Sequence, residues 1–251
     1  MRDDVVRYSD ADALVDEYIL AHIDAEPEAL REVQRLTHLR LTYPQMCSGH
    51  LQGRLLKMLC ALTGARRVLE LGTFSGYSAL AMAEALAETY GSSTEAPGTT
   101  PEQQCRTAAG RGARVDTIEV FDEMEDFLHH VFSTTHLGEL IHLHIGDACD
   151  ILPTLGDAPY DVCLIDADKR RYVDYYRLVL PLMRPGGLIL ADNTLWDGKV
   201  VRPVKESDTQ TRGVMAFNDL VASDPRVEKV LLPLRDGLTL IRKKAAPSAL
   251  A

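Results

Sequence analysis

Positive charge, cysteine pairs, tryptophan and long apolar runs are all scarce in this 251-residue sequence. There are 27 Lys and Arg against 37 Asp and Glu, a formal net charge of −10. A molecule so charged repels a phosphate backbone, which weighs against a nucleic-acid partner while leaving room for a local basic groove. No apolar run reaches the length that spans a bilayer, so no membrane segment is expected. The start, MRDDVVRYSDADALVDEY, lacks the apolar centre of a signal peptide. The five cysteines (47, 60, 105, 149, 163) are scattered without a C-x-x-C pair, and Cys163 falls in an apolar run. Reduced structural thiols in a cytoplasmic protein are the expectation. The G-x-G-x-x-G of dinucleotide binders is missing, and so are internal repeats. What is present, 46% apolar and 25% charged residues, suits one large globular domain with a real core.

The chain changes pattern near residue 64. Residues 9–40 read as helices, one capped by Ser9 with Ala13, Leu14 and Tyr18 on a face, another opening near Pro27 and carrying Leu30, Val33, Leu36 and Leu39. Residues 50–63 form a further amphipathic helix (Leu51, Leu55, Leu56, Leu59, Leu62) closed by Gly64. Beyond it, the short apolar runs 67–72, 114–120, 141–146, 160–166 and 186–192 alternate with helical stretches at 76–90, 123–135 and 170–183. That alternation predicts a mainly parallel sheet covered on both faces. The last two runs, RVEKVLLP and GLTLIRKK, are joined by Leu234-Arg235-Asp236 and Gly237, a hairpin spacing. Residues 91–113, rich in Gly, Ser, Thr and Pro, read as an inserted surface loop. The expected layout is a helical cap over 1–63, a core over 64–244 carrying that insertion, and a tail over 245–251.

In an open parallel sheet, ligands bind beyond the carboxyl ends of the strands. The first strand ends in ELGTFSGYS, placing Glu70, Gly72, Thr73 and Ser78 at that edge. Its glycines admit close approach to the backbone, and the helix start offers free amides. Glu119 ends the second strand, as an acceptor for ribose hydroxyls or as an exposed charge. Asp147, in the GDA turn, either reaches a base or caps the next helix. The fourth strand delivers Asp166, Asp168, Lys169 and Tyr172, and the fifth delivers Asp192 and Asn193. Asp166, Asp192 and Asn193, on neighbouring tips, form a hard-oxygen set suited to Mg²⁺ or a related ion. Lys169 beside such an ion would be pushed toward its neutral form and could serve as a base; its plainer reading is a surface lysine in a charged run.

These residues resemble the class I S-adenosylmethionine-dependent methyltransferases, and within them the cation-dependent O-methyltransferases of the caffeoyl-CoA and catechol group. The resemblance runs from about residue 40 to 243 and rests on VLELGTFSGYSALAMA, TIEV, GDA, YDVCLIDADKRRYVDYY, RPGGLILADNTLWDGKV and DPRVEKVLLPLRDGLTL, in that order. It implies an α/β fold, a doubly wound Rossmann-like seven-stranded sheet, mostly parallel with a C-terminal antiparallel hairpin, plus N-terminal helices. It implies that Asp166, Asp192 and Asn193 hold a divalent cation, Mg²⁺ with Mn²⁺ or Ca²⁺ as alternatives. Glu70, Gly72, Thr73 and Ser78 would cradle the methionine part of S-adenosylmethionine, and Asp168, next to Asp166, would help with its amino group. Glu119 would take the ribose, Ala148 would lie by the adenine, and Met46 and Ser48 would close the pocket. Trp196, Asp197 and Tyr172 would line the substrate, and Lys169 would deprotonate its hydroxyl. A homodimer is also implied. The sequence departs from the family pattern at SGHLQG, at Asp197 and in the 91–113 insertion.

Methyl transfer to a hydroxyl of a catechol-like, phenolic or other vicinal-diol small molecule is therefore the expected activity. The competing reading is a tRNA hydroxyuridine O-methyltransferase, which Lys169-Arg170-Arg171, Arg202 and Lys205 would permit.

Overall fold

The structure, a computed structural model, describes residues 10–91, 99–156 and 158–245. Its centre is a seven-stranded sheet built from β1 (Arg67–Leu71), β2 (Arg114–Glu119), β3 (Ile141–Ile145), β4 (Tyr160–Ile165), β5 (Met183–Ala191), β6 (Val227–Leu232) and β7 (Leu238–Lys243). The order is β3-β2-β1-β4-β5-β7-β6, with every pairing parallel except the two that β7 makes. The doubly wound sheet and its closing hairpin match the sequence expectation.

The central strands are apolar throughout because both faces are covered. Val68, Val115, Val162, Leu164, Leu188 and Leu190 face one layer, formed chiefly by α3 (Gly49–Leu62), α4 (Tyr77–Gly91) and α6 (Glu125–Ser133). Leu69, Leu71, Cys163, Ile165, Ile189 and Ala191 face the other, formed by α8 (Tyr172–Leu182) and α9 (Thr209–Ser223). The helix after β1 and the helix after β4 thus leave on opposite faces of two adjacent strands, which opens a crevice at their carboxyl ends.

Two expectations need correction. The segment read as a surface loop contains a helix, α5 (Pro101–Gly110), opened by a capping box in which the Thr100 hydroxyl accepts from the Gln103 amide. Cys105 and Ala108 are fully buried against α4; residues 92–98 lie outside the described part. The apolar face expected of the first helix is not buried either. In α1 (Asp10–Ala21), Leu14 is 64% and Tyr18 65% exposed, while Ser9 and the Ala13 side chain lie outside the described residues. In α2 (Glu28–Arg40), Leu30, Val33 and Leu36 are buried as expected and Leu39 is exposed. Leu62, at the end of α3, is exposed too. Among the described residues no helix is long and apolar enough to cross a membrane.

Candidate active site

The β1 tip is shaped by Gly72, at φ +95°. A Cβ there would stand 2.0 Å from the Asp166 carbonyl oxygen, so only glycine lets this turn lie against the end of β4. The Asp166 amide donates to the Leu71 carbonyl (2.9 Å) and the Asp192 amide to the Ile165 carbonyl (3.0 Å), which carries the ladder past the strands and locks three tips together.

Glu70, one step inside β1, is fully buried. Thr73 and Thr117 share a hydroxyl contact of 2.6 Å, and Thr117 donates to Glu70 Oε2 at 2.5 Å. Glu70 Oε1 is buried with no hydrogen-bond partner. Burial pushes the Glu70 carboxyl up to about 8. An acid with a free, dehydrated oxygen at a strand tip is chemically matched to an ammonium group. Thr73 and Ser78 are buried beside the same turn.

Glu119 is buried rather than exposed. Its Oε2 accepts from the Phe74 amide (2.9 Å) and its Oε1 from the Phe121 amide (3.1 Å), so it braces the β1–α4 turn across the crevice. Asp147 resolves as a helix cap: it accepts from the Cys149 amide (2.8 Å) at the start of α7 (Ala148–Ile151) and pairs with Arg171. Ala148 is buried at that helix start.

At the β4 tip, Lys169 Nζ donates to Asp166 Oδ1 (2.7 Å) and to the Tyr172 hydroxyl (2.8 Å). Burial alone would favour the neutral amine, but the Asp166 carboxylate and the Tyr172 oxygen outweigh it and hold the pKa above the ordinary lysine value. With Asp166 and Tyr172 as its partners, Lys169 is an ion-paired ammonium, and the neutral base expected of it belongs to a site that also holds a divalent cation. Tyr172 in turn donates toward the carbonyls of Asp192 (3.0 Å) and Ile165 (3.2 Å). Asp168 caps the turn 169–171 and is gripped by the Arg170 guanidinium through both oxygens (2.7–3.0 Å), so it faces a cation already.

Asp192, at the β5 tip, is buried and has both oxygens engaged. Its Oδ1 accepts from the Asn193 amide (2.8 Å) and its Oδ2 from Gln52 Nε2 (2.7 Å). Burial, then the charge of Asp166, raises its pKa. Asn193 holds φ +55°. Gln52 Oε1 accepts from Arg235 Nη1 (2.9 Å), and Arg235 also donates to the Cys47 (3.3 Å) and Ser48 carbonyls. Through Arg235 the segment carrying Met46 and Ser48 is pinned to the tip of the β6–β7 hairpin, although the Met46 side chain is itself exposed.

Sequence reasoning missed Gln52 and Arg235. For Gln52 a signal existed: it lies four residues before fully buried Leu56, on the core side of α3, where a polar group requires a partner. Arg235 carried none.

Beyond Asn193 the chain turns back along the hairpin, with the Thr194 amide donating to the Gly237 carbonyl and the Leu195 amide to the Asp236 carbonyl. Trp196, Asp197 and Gly198 follow at φ +48°, +52° and +66°, a run of left-handed residues anchored by the Asp197 amide on Asp236 Oδ1 (2.5 Å). Trp196 is half-buried, and its Nε1 is buried without a partner. The ammonium groups of Lys169 and Lys199 lie 5.8 and 5.7 Å from the centroid of its electron-rich ring. Asp197 is exposed.

The fit to a cation rests on donor chemistry. Among the described residues no three His, Cys, Asp or Glu side chains converge in a metal-holding arrangement. The set here is two carboxylates on adjacent strand tips, one raised by its burial and then by the other's charge, with an amide next in the chain. That is an oxygen-only set with negative charge to neutralise, which suits a hard divalent ion. A recess of about 520 Å³ between Glu102, His129, Phe132 and His136 lies at the amino end of β3, away from this edge.

Comparison with known proteins gives the family and the fold. A family model described as O-methyltransferase matches residues 21–92 and 108–244, leaving out most of α5. Tricin synthase 2 of Oryza sativa subsp. japonica is 33% identical over 228 residues, covering 87% of this chain and 70% of its own length. Caffeoyl-CoA O-methyltransferase 2 of Zea mays is 32% identical, covering 87% and 77%. Among solved structures, the O-methyltransferase TomG of Streptomyces achromogenes, in complex with SAM, is 30% identical with a TM-score of 0.75 over 92% of this chain and 96% of its own. An O-methyltransferase of Bacillus cereus in complex with SAH is 27% identical, with a TM-score of 0.77 over 92% and 97%.

Proposed function

The chain belongs to the O-methyltransferase family, and from that premise we propose that it moves a methyl group from S-adenosylmethionine to a hydroxyl of a small phenolic or catechol-like acceptor. The observation that carries this reading is the meeting of Asp166, Asp192 and Asn193 on adjacent strand tips, beside the buried and half-satisfied carboxyl of Glu70.

Glu70 receives the ammonium of the donor's methionine part, and the turn at Gly72 and Thr73, held against the end of β4, lines that part. Glu119, whose oxygens keep acceptor capacity beyond the two amides they hold, takes the ribose hydroxyls. Ala148 borders the adenine, and the pinned 46–48 segment closes the pocket. Asp168, paired with Arg170, shapes the turn that carries Lys169 and helps to hold the donor's amino group. Asp166, Asp192 and Asn193 would hold a divalent cation, Mg²⁺ or one of its oxygen-seeking relatives, whose chemistry when bound is Lewis acidity that makes an acceptor hydroxyl more acidic.

Trp196 packs on the acceptor ring, with Asp197 and Tyr172 at its margins. Lys169 keeps a positive charge beside the reacting oxygen and stabilises the negative charge that develops there. Fixing donor and acceptor in one crevice converts an encounter into an oriented transfer, and this supplies much of the acceleration.

The test is methyl transfer to catechol from labelled S-adenosylmethionine, with and without EDTA, in the wild type and Asp192→Ala. EDTA and the substitution should each lower turnover by about 10²-fold or more, in line with loss of one charge-stabilising element. Affinity for S-adenosylhomocysteine should survive both. Full turnover in metal-free buffer would refute the cation's part, and no transfer to any phenol would refute the reaction.

A further inference from the structure

The turn between β6 and β7 reaches two walls of the crevice with neighbouring residues. Arg235 holds the segment that leads into α3. Its Nη1 and Nη2 each donate to the Cys47 carbonyl (3.3 Å), and Nη1 also donates to the Ser48 carbonyl and to Gln52 Oε1 (2.9 Å). Gln52 carries the contact on to Asp192 Oδ2 (2.7 Å). Asp236, next in the chain, holds the loop of Trp196. Its carbonyl accepts from the Leu195 amide (2.9 Å) and its Oδ1 from the Asp197 amide (2.5 Å). That loop is tied to the hairpin again at Thr194, whose hydroxyl lies 2.8 Å from that of Thr239.

The backbone of Arg235 is informative. It sits at φ +49°, where a side chain costs free energy and glycine does not. The residue is also exposed, so it adds little to the core. Such a conformation persists where contacts offset its cost, and the hydrogen bonds of this side chain fall on residues 47–52. A planar guanidinium suits the task, because its fork of donors can gather several oxygens at once. The turn itself is tight, closed by the Gly237 amide on the Leu234 carbonyl (2.9 Å), so a restraint on Arg235 is a restraint on Asp236.

We propose that Arg235 is a positioning residue that clasps the 46–52 segment to the hairpin tip and, through Asp236, sets the loop of Trp196. The closure over the donor and the wall facing the acceptor are then held by one element, and loosening it relaxes both. This goes beyond the proposed function and rests on it for the identity of the two pockets.

The experiment compares the wild type with Arg235→Gly and Arg235→Lys. Glycine accepts φ +49° without strain, so the turn should persist and the urea midpoint should stay at the wild-type value. Lysine keeps the charge and loses the fork. Hydrogen exchange of the ligand-free protein, followed by mass spectrometry, should quicken about fivefold over 44–52 and over 193–198 in Arg235→Gly, the scale of a few exposed hydrogen bonds. Arg235→Lys should show a smaller rise, and the central strands none. S-adenosylhomocysteine should leave Arg235→Gly about fivefold faster, and KM for S-adenosylmethionine should rise to match while kcat does not fall. Faster exchange confined to 44–52 would make Arg235 a local tie and overturn the proposal. Unchanged exchange in both segments would overturn it too, as would S-adenosylhomocysteine released no faster than from the wild type. A lowered urea midpoint with exchange quickened throughout would assign Arg235 to stability alone and equally overturn it. Faster exchange in both segments of a protein that binds no S-adenosylhomocysteine would uphold the clasp and refute the proposed donor alone.

Discussion

Glu70 shows how far a single side chain can be set against its own ionisation. Its carboxyl is raised from 4.5 to about 8 by burial. In the unfolded chain it ionises near 4.5, so folding is unhindered below that pH and is opposed progressively as pH rises through 8. Glu70→Gln should therefore stabilise the ligand-free protein at pH 9 by about 2–4 kcal/mol and be close to neutral at pH 4, measured by urea unfolding at both values. An equal effect at the two would show that Glu70 is already charged and compensated. Binding of S-adenosylhomocysteine at pH 7 should also release nearly one proton, seen as a heat that varies with buffer ionisation enthalpy and disappears in Glu70→Gln. At this scale the sequence revealed which residues sit at the edge and little of their state. Glu119 was legible as an acid at a strand tip, but the turn amides it braces come from residues whose folding the local pattern does not encode. Lys169 was legible as a site residue, whereas its charge depends on Asp166 and Tyr172 meeting it in space.

Among the elements, α3 carries more of the site than its pattern of leucines suggests. Gln52 points its amide at Asp192 and its carbonyl at Arg235, bridging a helix, a strand tip and a hairpin. Removing it leaves a buried carboxylate oxygen and a guanidinium short of partners. Gln52→Leu should thus cost about 1–3 kcal/mol in urea unfolding, the usual penalty for an orphaned buried polar group. Gln52→Glu should cost more at pH 8 than at pH 5, because it sets a second carboxylate against Asp192. A variant as stable as the wild type would mean that Asp192 is satisfied without this helix. The α5 helix illustrates the opposite failure of reading. Its composition looked like a loop because it buries only small residues, Cys105 and Ala108, so no stripe of large apolar groups announced it. The signal that was available is local: Thr100, Pro101 and Gln103 spell a helix start. Gly91 completes the contact, since any side chain there would meet the Gln104 carbonyl at 2.4 Å.

Over the whole molecule, the strand-helix alternation was enough to place the sheet, and the rule for carboxyl edges was enough to bring Glu70, Asp166 and Asp192 to one crevice. Contacts spanning 140 and 183 residues, Gln52 to Asp192 and Gln52 to Arg235, were beyond it, because nothing local in either partner encodes the other. The strand order β5-β7-β6 carries one more consequence. A chain leaving the ribosome makes β6 before β7, yet β7 must enter between β6 and β5. Until it does, β5 presents Leu188, Ile189, Leu190 and Ala191 along an open edge that templates pairing with other chains. The nascent protein is thus adhesive over the stretch of synthesis between residues 191 and 243, a window in which chaperones have something to hold. A translation product halted after residue 237 should pellet on centrifugation while the full chain stays in the supernatant. If the halted product remains dispersed and binds S-adenosylhomocysteine, the edge is protected by some other means.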